Sequence, residues 1–154
     1  MSSPGGPPSV GTPQQTRSAG GDMPRTSSDE IELQDFGPVA SRDTELADFE
    51  VSFTTFKDEM DMTPVLAGLP TRSCQCPHFG VLVKGRASVR YDDGRTEVIE
   101  PGDAYYMTPG HIPVFAAGTE VVMFSPTAEM KATNDAIEAF VASLKSSGQV
   151  TEGK

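Results

Sequence analysis

The 154-residue chain has no tryptophan, only two cysteines and only two histidines. The cysteines, Cys74 and Cys76, stand two apart, a spacing at which a disulfide rarely meets its Cα and Cβ distances. That excludes a disulfide-stapled scaffold and turns attention to metal or redox chemistry. Basic side chains are scarce as well: 12 Lys and Arg against 22 Asp and Glu give a formal charge of −10 and a pI near 4.5. Such a surface does not neutralise phosphates, so nucleic acid and anionic membranes are not expected partners. No apolar run approaches the roughly 20 residues that span a bilayer. The opening residues, Met1 to Pro8, lack both the basic and the apolar segment of a secretory leader. A soluble, cytoplasmic protein is the expectation. No glycine-rich phosphate loop, nucleophile elbow or Ser/His/Asp set is recognisable.

What is present changes along the chain. Residues 1–28 are mostly Gly, Pro, Ser, Thr and Gln, a composition that buries too little apolar surface to offset its ordering entropy. A disordered low-complexity tail is predicted there. Residues 29–47 read as an acidic linker. Across 29–62, eleven Asp or Glu accompany only Arg42 and Lys57, which suits a solvated surface. Alternation from Glu50 to Phe56 predicts a first strand.

From Cys74 onward strand signals are dense. His78 to Lys84 carries Phe79, Val81, Leu82 and Val83. Arg86 to Tyr91 alternates, and Asp92-Asp93-Gly94 supplies the positive φ of a tight hairpin. Further short strands follow at Thr96–Glu100, Ala104–Met107, Ile112–Ala116 and Glu120–Ser125, divided by Pro101-Gly102-Asp103, Thr108-Pro109-Gly110 and Ala117-Gly118-Thr119. Short strands with regular turns predict an all-β sandwich or barrel. Ala136, Ile137, Phe140, Val141 and Leu144 lie at helical spacing, so a helix is expected over 134–146, capped by Thr133 or Asn134 and ended by Gly148. The predicted organisation is a tail (1–28), a linker (29–47), one barrel (48–128), a C-terminal helix segment (129–148) and a short tail (149–154).

All Cys and His fall between positions 74 and 111. On an extended strand Cys74, Cys76 and His78 would share one face, and His111, after Pro109-Gly110, is the remaining candidate donor. Two thiolates and two imidazoles suit one divalent transition metal, zinc first, with iron, nickel or copper as competitors. Four protein donors would close the site; three would leave a position for water or substrate. Phe79, Tyr91, Tyr105, Met107 and Met123 are candidate pocket-lining residues. No catalytic residue is assigned.

Gly85, Pro101-Gly102-Asp103 and Pro109-Gly110-His111 resemble the two sequence motifs of the cupin superfamily. Against the first motif, His78 stands in the family's Glu position, seven residues before Gly85, and Cys74 in its second His position. Arg72 stands where the first His would be and cannot ligate. Against the second motif, Pro113 replaces the expected His, and His111 follows Gly110 directly. With Cys74-Gln75-Cys76-Pro77-His78, the pattern is similar to small single-domain bacterial cupins. The resemblance covers residues 48–128. It implies an antiparallel, jelly-roll-like (RmlC-like) barrel with a metal inside near one mouth, and a homodimer. Three functions compete: a metal-binding cupin that recognises a small molecule as a sensor or accessory protein; a metal-dependent dioxygenase or isomerase acting on a small organic substrate; and an interaction module with a structural metal.

Overall fold

The computed structural model describes residue 5 and residues 24–146. Most of the tail expected over 1–28, all of 149–154 and the Gly148 helix stop lie outside the described residues. After a single 3-10 turn at Ser28–Glu30, ten strands follow: β1 (Gln34–Asp35), β2 (Val39–Leu46), β3 (Phe49–Phe56), β4 (Met60–Asp61), β5 (His78–Lys84), β6 (Ala87–Tyr91), β7 (Thr96–Ile99), β8 (Ala104–Met107), β9 (His111–Phe115) and β10 (Thr119–Pro126). A short helix α1 (Thr63–Leu66) lies between β4 and β5, and α2 (Thr127–Ser146) ends the described chain.

Two sheets with only antiparallel pairings make the body: β1-β2-β3-β10-β5-β8 and β4-β9-β6-β7. Their facing sides bury Phe56, Leu82, Met107 and Val121 from the first sheet against Ala87, Val89, Tyr91, Ile99 and Phe115 from the second. Phe56 and Phe115 stack across the gap, centroids 4.0 Å apart. This interdigitation of two inner faces is what a β-sandwich or closed barrel requires of alternating strands.

Two elements differ from expectation. Residues 39–46 form a full strand, paired residue for residue with β3, where the sequence suggests a linker. Its charges hid it: Arg42, Asp43 and Glu45 interrupt the apolar pattern, while the register is set by β3 and the Ala47 turn (φ +53°). Helix α2 begins at Thr127, seven residues before the expected start at 134, and follows directly from β10.

The helix docks by contact rather than by deep burial. Met130, Ala136 and Ile137 pack on Leu66, Leu69, Cys74 and Cys76. A Cβ at Gly68 would sit 2.0 Å from Phe140 Cγ, so only glycine lets the Phe140 ring lie there. This second cluster caps one end of the barrel, beside the histidines.

Candidate metal centre

The site is assembled from three places. Cys74 is joined to His111 by an isolated antiparallel bridge: Cys74 N–H donates to the His111 carbonyl at 2.9 Å, and Gly110 N–H donates to the Cys74 carbonyl at 2.8 Å. Gly110 takes φ +91° there, a conformation open to glycine at little cost. It sets His111 at the start of β9 with its side chain inward, 1% exposed. The turn is braced by Asp92, whose N–H donates to the Gly110 carbonyl and whose carboxylate accepts from Ser73 Oγ at 2.9 Å. His78 opens β5 and pairs with Met107 of β8.

Cys74, His78 and His111 bring their donor atoms within 4.8 Å of one another, all three buried. Cys74 Sγ lies 3.4 Å from His78 Nε2, close to the ~3.5 Å that bonds of about 2.0–2.3 Å impose on two tetrahedral ligands. The imidazole rings stand edge to face with centroids 4.9 Å apart.

The outer nitrogens of both rings are held. His111 Nδ1 is 2.8 Å from the Thr108 carbonyl. A carbonyl only accepts, so Nδ1 carries the proton and Nε2 presents a lone pair. His78 Nδ1 is 2.7 Å from Ser125 Oγ on β10, which leaves Nε2 toward Cys74. Metal-binding imidazoles are oriented by such contacts. Burial pushes the His78 imidazole down to about 3, with the neighbouring His111 adding to it. Burial also lowers His111. Both rings are thus neutral ligands at physiological pH. Burial raises the Cys74 thiol above its ordinary range, so the thiol is protonated until a cation displaces the proton. A soft sulfur and two neutral nitrogens are a donor set that a divalent transition metal fits, and one that Mg²⁺ and Ca²⁺ do not favour.

Cys76 is not in this group. Residues 74–77 are not a strand: Cys74 makes only an isolated bridge, and β5 starts only at His78. The period-two rule behind the shared face of Cys74, Cys76 and His78 therefore fails for Cys76. Its Sγ lies 3.6 Å from the Pro77 carbonyl, and the residue packs with Leu66 and Leu69. Burial first, then Cys74, Glu129 and Glu50, push its thiol up to about 12.

The three donors open on a cavity of about 520 Å³ inside the barrel. Of the five predicted lining residues, Met107 and Met123 border it. Phe79 is on the opposite side of its sheet, stacked on Phe124 at 5.3 Å. Tyr91 is core, and its hydroxyl donates to Glu97 at 2.8 Å. Tyr105 packs on the core, and its buried hydroxyl has no partner among the described residues. Sequence reasoning passed over Glu50, Ser52 and Thr54, which border the cavity from β3. Their signal was the polar half of the alternation that revealed the strand.

No protein-family model matches the chain, and no curated protein matches its sequence. Solved structures do resemble it. Oxalate decarboxylase from Lactobacillus farciminis, in a formate complex, superposes with a TM-score of 0.51 at 15% identity, over 71% of this chain and 35% of that one. Ectoine synthase from P. lautus gives 0.49 at 19% identity, over 71% and 85%. An RmlC-like cupin from Shewanella frigidimarina gives 0.47 at 16% identity, over 66% and 88%. These likenesses concern the fold alone. With the two antiparallel sheets and the C-terminal helix, the likeness to the oxalate decarboxylase shows that the described chain has the fold of a cupin-type, jelly-roll-like barrel.

Proposed function

We propose that this barrel holds one divalent transition metal, zinc first, on Cys74, His78 and His111, and binds a small molecule in the adjoining cavity. The observation that carries the reading is the convergence of three buried donors within 4.8 Å on the wall of that cavity. Three donors leave a coordination position. That favours, as the second reading, a metal-dependent enzyme such as a dioxygenase or isomerase over a purely structural ion. When bound, a metal here would act as a Lewis acid toward a ligand in the cavity; the chain's own part is to keep both imidazoles neutral and oriented and to exclude bulk water with Leu66, Met107 and Ile137.

Metal content by plasma mass spectrometry on untagged protein tests this. About one ion per chain is expected in wild type and in Cys76→Ser, with loss in Cys74→Ser and His111→Ala. Equal loss in Cys76→Ser would restore a four-donor, closed site. Cobalt substitution separates the two readings further: azide should perturb the visible spectrum of an open site and leave a closed one unchanged.

The homodimer implied by the family resemblance belongs to the same proposal. We place it on the outer face of the six-stranded sheet, where Val81, Val83 and Tyr106 are exposed. Two free thiols fit a reducing compartment, consistent with a cytoplasmic location. No described helix is long and apolar enough to cross a membrane.

A further inference from the structure

The cavity beside the three donors is polar on one side and apolar on the others. β2 and β3 contribute Ser41, Asp43, Glu50, Ser52 and Thr54, while Met60, Met62, Met107 and Met123 face them from elsewhere in the barrel. Among the described residues that line it there is no lysine and no arginine. Its only ionisable groups besides the metal donors are the carboxylates Asp43 and Glu50.

These carboxylates line the same cavity as the donor group. In the β3–β10 register Glu50 lies opposite Ser125, the residue whose hydroxyl meets His78. Ser41 donates to Asp43 and is itself 3.1 Å from Thr54, which fixes the carboxylate at the rim. Burial, then Asp43 and Glu45, hold the Glu50 acid above its usual range, as expected where carboxylates crowd without a compensating cation. Independently, His111 lines the same cavity almost fully buried. Its Nδ1–H is committed to Thr108, so its Nε2 faces the metal site, and a molecule in the cavity would lie beside that site.

We infer that the cavity takes an apolar organic amine in its ammonium form: Asp43 and Glu50 accept its N–H groups, and the methionine wall receives its hydrocarbon body. The inference rests on the reading of the barrel as a small-molecule site and names the class of that molecule. A carboxylate ligand would face two like charges with no lysine or arginine on the wall, a repulsive element that discriminates against it. The chain's net charge of −10 also concentrates cations at the mouth. Methionine side chains adapt to hydrocarbon bodies of varied shape, and about 520 Å³ lies within the usual range for a drug-sized ligand.

Three probes with one ring and different heads test it: 2-phenylethylamine, 2-phenylethanol and 3-phenylpropionate. Binding is measured by calorimetry and ligand-observed NMR on the full chain, as isolated and after zinc loading, with metal counted in the same samples. The amine should bind about tenfold or more tighter than either other probe. Glu50→Gln combined with Asp43→Asn should erase that preference, bringing the amine's affinity down to the alcohol's. Asp43→Asn alone, at an exposed position, should reduce it partly and keeps the test valid if the double variant is unstable. The inference is overturned if 3-phenylpropionate binds as tightly as the amine, if no probe binds, or if the preference survives both substitutions. An amine preference in protein that takes up no zinc on loading would sustain the inference and remove the metal reading; one zinc per chain without that preference would do the opposite.

Discussion

His78 illustrates what burial does to a single titratable group. Its imidazole is 6% exposed and is pushed down to about 3, whereas in the unfolded chain it titrates near 6.5. Between those values the unfolded state binds a proton that the folded state refuses. Stability is therefore fully present above pH 6.5 and lost as pH falls toward 3, with His111 acting in the same direction. In metal-free protein the urea midpoint should fall steadily from pH 6.5 to 4, and His78→Gln should flatten that slope. A parallel slope in the variant would mean that other groups control the acid limb. Metal binding has its own proton signature. The Cys74 thiol is raised by burial and both imidazoles are neutral, so zinc should release about one proton per ion at pH 7. Calorimetry in buffers of different ionisation enthalpy reads this number, and Cys74→Ser should abolish it. At this scale the sequence was informative for Cys74, His78 and His111, because all Cys and His fall in one stretch of the chain. It set Cys76 beside them by alternation, whereas residues 74–77 form no strand and Cys76 packs with Leu66 and Leu69. It passed over Glu50, because one carboxylate in a run of eleven resembles solvated surface until its strand partner is known.

Among elements, the strands from β5 to β10 were legible because Gly or Pro turns separate one from the next and because each is an apolar run, as in β5, or alternates, as in β6. β2 was not, since its strand character comes from pairing with β3 rather than from its own composition, a common limit of β-propensity. The start of α2 was also illegible: Thr127 follows β10 without a turn, so no capping signal marks the change. What holds α2 in place is specific. Gly68 leaves room for the Phe140 ring, and Ile137 reaches the cluster around Leu66 and Cys74. In Gly68→Val the added side chain would strike the base of the Phe140 ring and displace the helix. Overpacking of this kind costs about 1–3 kcal/mol, read as a Tm several degrees lower. Phe140→Ala in the same chain should recover part of that loss, and the double-mutant cycle measures the coupling. Strict additivity of the two substitutions would show that the helix is not seated through this contact.

The whole molecule has a sheet that is apolar on both faces. The inner face closes on the core and the cavity. The outer face carries Phe79 between Phe49 and Phe124, at 5.4 and 5.3 Å, and leaves Val81, Val83 and Tyr106 at 43%, 54% and 56% exposure. A sheet that covers itself on one side alternates apolar with polar residues; β5 instead presents Phe79, Val81 and Val83 outward. Contiguous apolar surface of this kind marks an interface, and a second copy of the chain is the occupant proposed for it above. Equilibrium sedimentation at tens of micromolar should therefore give a mass about twice the 16.4 kDa chain. Val81→Glu with Val83→Glu should bring it to the monomer mass, because two exposed carboxylates cannot be desolvated against apolar neighbours without pairing. Both positions point away from the cavity, so metal content should survive the change. A dimer that persists in the double variant would move the interface elsewhere. Loss of metal together with the dimer would mean that the outer face braces β5, and through it the position of His78.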